Sequence, residues 1–168
     1  MTGYMKLIVA AILLAMFAYP IRRVMEVNFF SVIELTQLVC RSMIRQRKGS
    51  IINIGSIAAW GEDTSQMEYA ASKAALTIAT KKLARELGGA GIRVNAVAPG
   101  LTQTKMLEEL SEEQLQSITR GIGLHRLGTP EEIAHVCLWL ASDYSSFVTG
   151  ETIKADGGGF DLRLSTSK

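Results

Sequence analysis

Cysteine and proline are scarce in this sequence, which has 2 Cys and 3 Pro among 168 residues. Cys40 and Cys137 lie far apart without C-x-x-C spacing, which argues against a disulfide framework or a zinc site and fits a reducing cytoplasm. His125 and His135 belong to no ligand-spaced cluster, so we expect no metal. The net charge is also small, at +2, because 18 Lys and Arg nearly balance 16 Asp and Glu. The small surplus predicts no face for nucleic acid or an anionic membrane.

A long hydrophobic run is also lacking. The longest covers residues 7–19, which are thirteen apolar residues flanked by Lys6 and Pro20. A membrane-spanning helix needs roughly 20 such residues, and shorter runs are more often core elements. A cleaved signal peptide is disfavoured by the thin positive start and the absence of a clean cleavage site. We therefore interpret residues 1–23 as an atypical hydrophobic segment and consider a membrane partner unlikely. Periodicity does not decide between strand and helix here.

The rest of the chain has the composition of about one globular domain, with 48% hydrophobic and 20% charged residues. Apolar spacing and turn residues predict alternating helices and strands. Helix starts are indicated at Ser111 and Thr129, where a capping hydroxyl precedes early acids. The predicted helices are 24–47 and 66–87, and the predicted strands are 50–54, buried on both faces, 92–98 and 152–155.

This order predicts an α/β fold with a parallel sheet, because parallel strands need long crossovers, and it places a ligand site at the carboxyl ends of the strands. Ser56 lies just past such an end. Tyr69 and Lys73 are four residues apart on a predicted helix, so they share one face. A neighbouring ammonium favours the phenolate form of a tyrosine, and a hydroxyl at Ser56 can hold a carbonyl oxygen. Tyr69 and Lys73 alone would be weak evidence for a catalytic site, because this spacing also occurs by chance on helix surfaces.

Together these residues form a multi-part pattern that resembles the short-chain dehydrogenase/reductase family, in its classical type related to 3-oxoacyl-[acyl-carrier-protein] reductases. The resemblance covers residues 26–160. Its motifs are Asn53-Ile54-Gly55-Ser56, Tyr69-Ala70-Ala71-Ser72-Lys73, Asn95-Ala96-Val97-Ala98-Pro99-Gly100, residues 126–134 and residues 148–151.

The resemblance implies a catalytic role for four residues. Tyr69 is the general acid/base and also contacts the cofactor. Ser56 orients and polarises the carbonyl, and Lys73 favours the phenolate and binds the cofactor ribose. Asn28 helps to hold a water that links Lys73 to solvent. The resemblance further implies a cofactor-binding segment near the nicotinamide, made of Pro99, Gly100, Leu101, Thr102 and Thr104. Residues 101–126 are expected to form a substrate lid. Its apolar side chains hint at an acyl or otherwise apolar substrate, but a lid that merely covers its own pocket would have the same composition.

Other parts that the resemblance implies are missing from this sequence. Family members open with a strand, a glycine-rich phosphate-binding turn and a helix, and Gly3 is the only glycine in residues 1–23. We therefore expect the C-terminal part of a Rossmann-type doubly wound sheet in residues 24–168, with the first mononucleotide-binding half missing. Strand 50–54 would then leave an apolar edge exposed, unless residues 7–12 pair with it.

The implied function is NAD(P)(H)-dependent reduction of a carbonyl, of the 3-oxoacyl type, to a secondary alcohol in the cytoplasm. The choice between NADP and NAD is open, with NADP favoured by the resemblance alone. Implied partners are a small carbonyl or alcohol substrate and further copies of the chain in a dimer or tetramer. The alternative is a non-catalytic fragment that associates with full-length relatives or a membrane.

Overall fold

The computed structural model describes residues 20–61, 65–104 and 111–159. The hydrophobic segment 7–19 and part of the expected lid, 105–110, lie outside these ranges. The described elements, in chain order, are helix α1 (Pro20–Gln46), strand β1 (Gly49–Ile54), helix α2 (Met67–Leu87), strand β2 (Ile92–Pro99), helix α3 (Glu112–Arg120), helix α4 (Pro130–Ala141) and strand β3 (Thr152–Ala155). Short 3₁₀ helices cover Ile57–Trp60, Gly88–Ala90 and Asp143–Ser145. The predicted alternation of helices and strands is confirmed.

Helix α1 contains a π-helical segment, Glu26–Phe30, that the sequence pattern did not indicate. The helix ends where Arg47 adopts left-handed backbone angles and its N–H donates to Met43 and Ile44. By length and composition alone, α1 could cross a membrane. Core helices of soluble proteins and N-terminal signal sequences pass the same test, so this finding carries little weight.

The three strands form one parallel sheet in the order β1-β2-β3. Side chains alternate between its faces. Asn53 hydrogen-bonds to Thr80 of α2, whereas the Ser50 hydroxyl donates to the Leu140 carbonyl of α4. Because positions 50 and 53 point to opposite faces, α2 and α4 cover opposite sides of the sheet. The described residues thus form the layered arrangement predicted for an α/β fold.

The expectation that β1 is buried on both faces is wrong. Six of the eight residues of β2 are buried, but in β1 only Asn53 is, and Ile54 is 49% exposed. The reason is the position of β1 at the edge of the described sheet, with β2 on one side only. The predicted exposure of an apolar edge is therefore what the described residues show.

Capping explains where the later helices begin. Ser111 and Thr129 each accept a hydrogen bond from the backbone N–H three residues on, and the Gln114 and Glu132 side chains accept from the capping residues' own N–H groups. These are the reciprocal capping boxes that the sequence indicated. Pro130 follows as the first residue of α4, where its missing N–H has no cost.

Candidate active site

Ser56 lies two residues beyond the carboxyl end of β1. It caps the 3₁₀ helix Ile57–Trp60, and its Oγ accepts a hydrogen bond of 3.2 Å from the Ala58 N–H. A hydroxyl that accepts one bond keeps a proton that it can donate. The 3₁₀ helix packs against α2, so the fold brings Ser56 to the helix that carries the other predicted catalytic residues.

Tyr69 and Lys73 occupy the first two turns of α2, on one face. The Lys73 ammonium lies 5.7 Å from the centre of the Tyr69 ring. Its Nζ donates a 2.9 Å hydrogen bond to the carbonyl of Ile54, the last residue of β1. Lys73 is half-buried, and this burial lowers the pKa of its ammonium below the usual 10.5. The lysine therefore connects the tyrosine to the strand end that precedes Ser56.

Asn28 is connected to Tyr69 through Ser72, a residue that the sequence analysis did not single out. Its Nδ2 donates to the Ser72 Oγ at 3.2 Å, and that hydroxyl donates to the Tyr69 carbonyl at 2.7 Å. Ser72 is fully buried. Its position between Tyr69 and Lys73 in the quoted motif was the available signal. Asn28 lies within the π-helical segment of α1, a feature that is frequent at functional sites.

Two further motif asparagines are structural. The Asn53 side chain donates to Thr80 Oγ1 at 2.8 Å and so holds β1 to α2. Asn95 donates to the Val148 carbonyl and accepts from the Glu151 N–H, which fixes the loop that leads into β3. Both side chains are buried with their polar atoms satisfied, as buried amides require.

The expected cofactor segment begins where β2 ends at Pro99. The Gly100 N–H donates to the Ala155 carbonyl at 3.0 Å, and a Cβ on Gly100 would lie 2.7 Å from the Cα of Asp156. Only glycine permits this approach of the β2 and β3 ends. Backbone hydrogen bonds from Gly128 to Leu101 and from Gln103 to Gly128 then hold the segment to the loop before α4.

The Thr102 hydroxyl in this segment donates to the Gly100 carbonyl, whereas Thr104 is exposed. Beside the segment lies a cleft of about 400 Å³, lined by Leu101, Leu124, Arg126, Lys154 and Asp156, among others. In the described ranges no group of three His, Cys, Asp or Glu side chains could hold a metal ion.

Trp60 is a second residue at the site that the sequence reasoning missed. It ends the 3₁₀ helix that Ser56 begins, and the Lys154 ammonium lies 4.5 Å above its ring. This cation–π contact links the Ser56 segment to β3 and to the cleft. No local pattern signals it, because Trp60 and Lys154 are far apart in the sequence.

The lowered pKa of Lys73 predicts a pH-dependent stability. Because the folded chain releases this proton at a lower pH than the unfolded chain, the free energy of unfolding should rise as pH increases from the folded pKa towards 10.5. In Lys73→Met this increase in the free energy of unfolding should be absent. Lys82→Met, on the exposed side of α2, should keep it. Urea unfolding of the three proteins across this pH range measures the difference. Parallel profiles for Lys73→Met and the unaltered chain would contradict the prediction.

Comparison with known proteins identifies the family of this chain. The family described as enoyl-(acyl carrier protein) reductase matches residues 3–159. The 3-oxoacyl-[acyl-carrier-protein] reductase FabG of Thermotoga maritima is 49% identical over 135 residues, which are 80% of this chain and 55% of that protein. The chain thus spans about half the length of the curated relatives it matches.

Solved structures of similar reductases and dehydrogenases also match this chain. A 3-oxoacyl-[acyl-carrier protein] reductase from Brucella melitensis superimposes with a TM-score of 0.78 at 39% identity, over 85% of this chain and 54% of that one. A 7α-hydroxysteroid dehydrogenase, solved with NADH and 7-oxo glycochenodeoxycholic acid, gives 0.78 at 37% identity, over 83% and 55%. Sequence motifs, fold and relatives agree, and the chain belongs to the short-chain dehydrogenase/reductase family.

Proposed function

We propose that this chain is part of an NAD(P)(H)-dependent oxidoreductase that reduces a carbonyl, of the 3-oxoacyl type, to a secondary alcohol in the cytoplasm. One observation carries the proposal: Tyr69 and Lys73 share a face of α2, and Lys73 hydrogen-bonds to the end of β1 two residues before Ser56. Relatives named as 3-oxoacyl-[acyl-carrier-protein] reductases support the substrate class.

The reduction needs a proton as well as a hydride. Tyr69 donates the proton to the carbonyl oxygen, and the Ser56 hydroxyl orients that oxygen by donating a hydrogen bond to it. The Lys73 ammonium favours the phenolate that Tyr69 leaves after the transfer. Asn28 positions Tyr69 through Ser72, whose hydroxyl binds the backbone of the tyrosine. A proton passed on from Lys73 then restores the Tyr69 phenol, and a water held near Asn28, as the resemblance implies, would replace that proton on Lys73 from solvent.

The described residues fit the nicotinamide end of the cofactor. Gly100 lets the ends of β2 and β3 approach closely. The resemblance implies that the segment of Pro99, Gly100, Leu101, Thr102 and Thr104 at these ends packs on the nicotinamide and that Lys73 binds the adjoining ribose. A bound nicotinamide supplies the hydride. In the described part of the chain, no glycine-rich turn joins a strand to a helix and could cradle the pyrophosphate.

We take NADPH as the first cofactor to test, because the family resemblance favours it, and NADH as the second, because two of the similar solved structures are complexes with NADH. We also propose that the chain works as a homo-oligomer. Helix α1 exposes Leu38, and α2 exposes Ile78, each by more than half of its surface. Apolar side chains of this kind favour burial against another copy.

The proposal is tested by steady-state oxidation of NADPH with a 3-oxoacyl thioester and the full chain, followed by identification of the 3-hydroxy product. Ser56→Ala should lower kcat by about 10²- to 10³-fold, the usual effect of removing one such donor. Ser146→Ala, an exposed serine at the other end of the sheet, should keep the full rate. Equal rates for both variants, or no product from the folded chain, would refute the proposed role.

A further inference from the structure

The outer edge of β1 carries backbone groups that no described strand pairs with. The Gly55 N–H donates to Val97 of β2 at 2.7 Å, so the backbone of Asn53 and Gly55 faces β2. Neighbouring residues in a strand present their backbone groups to opposite edges, so Ile52 and Ile54 face away from β2. Among the described residues, no strand pairs on that side. Within the described ranges, the partner found on that side is the Lys73 ammonium, which donates to the Ile54 carbonyl.

A groove of about 400 Å³ runs along this edge. Helix α1 supplies one wall with Val27, Val32, Leu35 and Val39, and β1 supplies the other. Val27 and Leu35 are 62% and 61% exposed. Apolar walls beside free backbone donors and acceptors suit one kind of occupant, an extended apolar segment that adds to the sheet.

We propose that residues 7–12 of this same chain are that occupant and pair with β1 as a parallel strand. Residues 7–9 are Leu, Ile and Val, and the segment carries no charge. These residue types favour a strand in an apolar setting. The proposal is independent of the reaction.

The connection supports this assignment. Parallel strands require a long crossover, usually a helix, and α1 precedes β1 with only Arg47 and Lys48 between them. Asn28, in the first third of α1, lines the same groove as Lys73 and Ile54, so this part of α1 lies beside the carboxyl end of β1, and Pro20 lies about 12 Å along the helix from Asn28. A strand that runs parallel to β1 also has its carboxyl end on that side of the sheet. Residues 13–19 can span up to about 25 Å, which suffices to join the strand to α1.

Amide hydrogen exchange of the full chain, resolved by NMR, tests the proposal with an internal control. The Asn53 backbone N–H faces β2 and bonds to it whether or not residues 7–12 pair with β1. If residues 7–12 pair with β1, the Ile52 and Ile54 amides should exchange within about tenfold of the Asn53 rate. The double variant Ile8→Pro/Val9→Pro removes a donor to β1 in either register, because neighbouring residues face opposite edges, and it should speed exchange of Ile52 and Ile54 by at least about tenfold and leave Asn53 unchanged. Val9→Ile should behave as the unaltered chain.

A spin label gives a second measurement that does not depend on the folding of the proline variant. With Cys40 and Cys137 replaced by alanine, a nitroxide attached to Ile8→Cys should broaden the Ile52 amide resonance. Fast exchange of Ile52 and Ile54 in the full chain, or no broadening, would overturn the proposal. Protection that disappears on dilution would assign the groove to a second copy and overturn it as well.

Discussion

Tyr69→Phe should lower kcat/KM for carbonyl reduction by about 10³-fold, because the variant keeps the ring but loses the only proton that this side chain can donate. Positioned general acids contribute typically 10²- to 10⁴-fold. The Lys73 ammonium, 5.7 Å from the ring centre, would then have no phenolate to stabilise. Cofactor oxidation under steady-state conditions measures the loss.

The affinity for the cofactor should hardly change in Tyr69→Phe, since Lys73 and the segment after Pro99 remain. A titration of the variant with NADPH separates this expectation from a general loss of structure. Tyr144→Phe is the matched control, because Tyr144 is 93% exposed and lies far from the strand ends that form the site. Undiminished turnover in Tyr69→Phe would remove the tyrosine from the mechanism.

Leu140→Ala should lower the free energy of unfolding by about 2–5 kcal/mol, the range for deleting a buried leucine side chain. Leu140 is fully buried in the last turn of α4. Its carbonyl accepts hydrogen bonds from Ser50 of β1 and from Arg93 of β2. Arg93 also binds the Ser142 carbonyl and the Ser145 hydroxyl, so the end of α4 is fixed to two strands. A cavity there loosens helix and sheet together.

Leu138→Ala provides the comparison on the same helix. Leu138 is 67% exposed, so its truncation should change the free energy of unfolding by no more than about 0.5 kcal/mol. Urea unfolding of both variants under identical conditions gives the two values. Similar losses for the two variants would show that burial at Leu140 does not stabilise the fold as described.

Local signals in the sequence were sufficient for most elements. The hydroxyl and early acids at Ser111 and Thr129 act on the first helical turn alone, and both helices begin there. The predicted strand 152–155 has the observed bounds, and the start of α2 differs from the prediction by one residue. The four-residue spacing of Tyr69 and Lys73 fixes their common face because residues four apart in an α-helix lie on one side of it.

Contacts between distant segments could not be predicted in this way. Trp60 meets Lys154, and Asn28 meets Ser72, only because the fold brings separate elements together. The half-burial of β1 depends on which strands flank it, and its apolar sequence is equally typical of a central strand. The assigned roles of Asn28, Ser56, Tyr69 and Lys73 still rest on the family resemblance and on their placement.

The most direct test of the central claim is calorimetric titration of the full, folded chain with NADPH and, separately, with NADH. The site at the strand ends predicts binding of at least one cofactor in the micromolar range, weakened in Lys73→Met because the ribose contact is lost. Folded protein that releases no heat with either cofactor would contradict the account, because its catalytic residues would then have no hydride donor to serve.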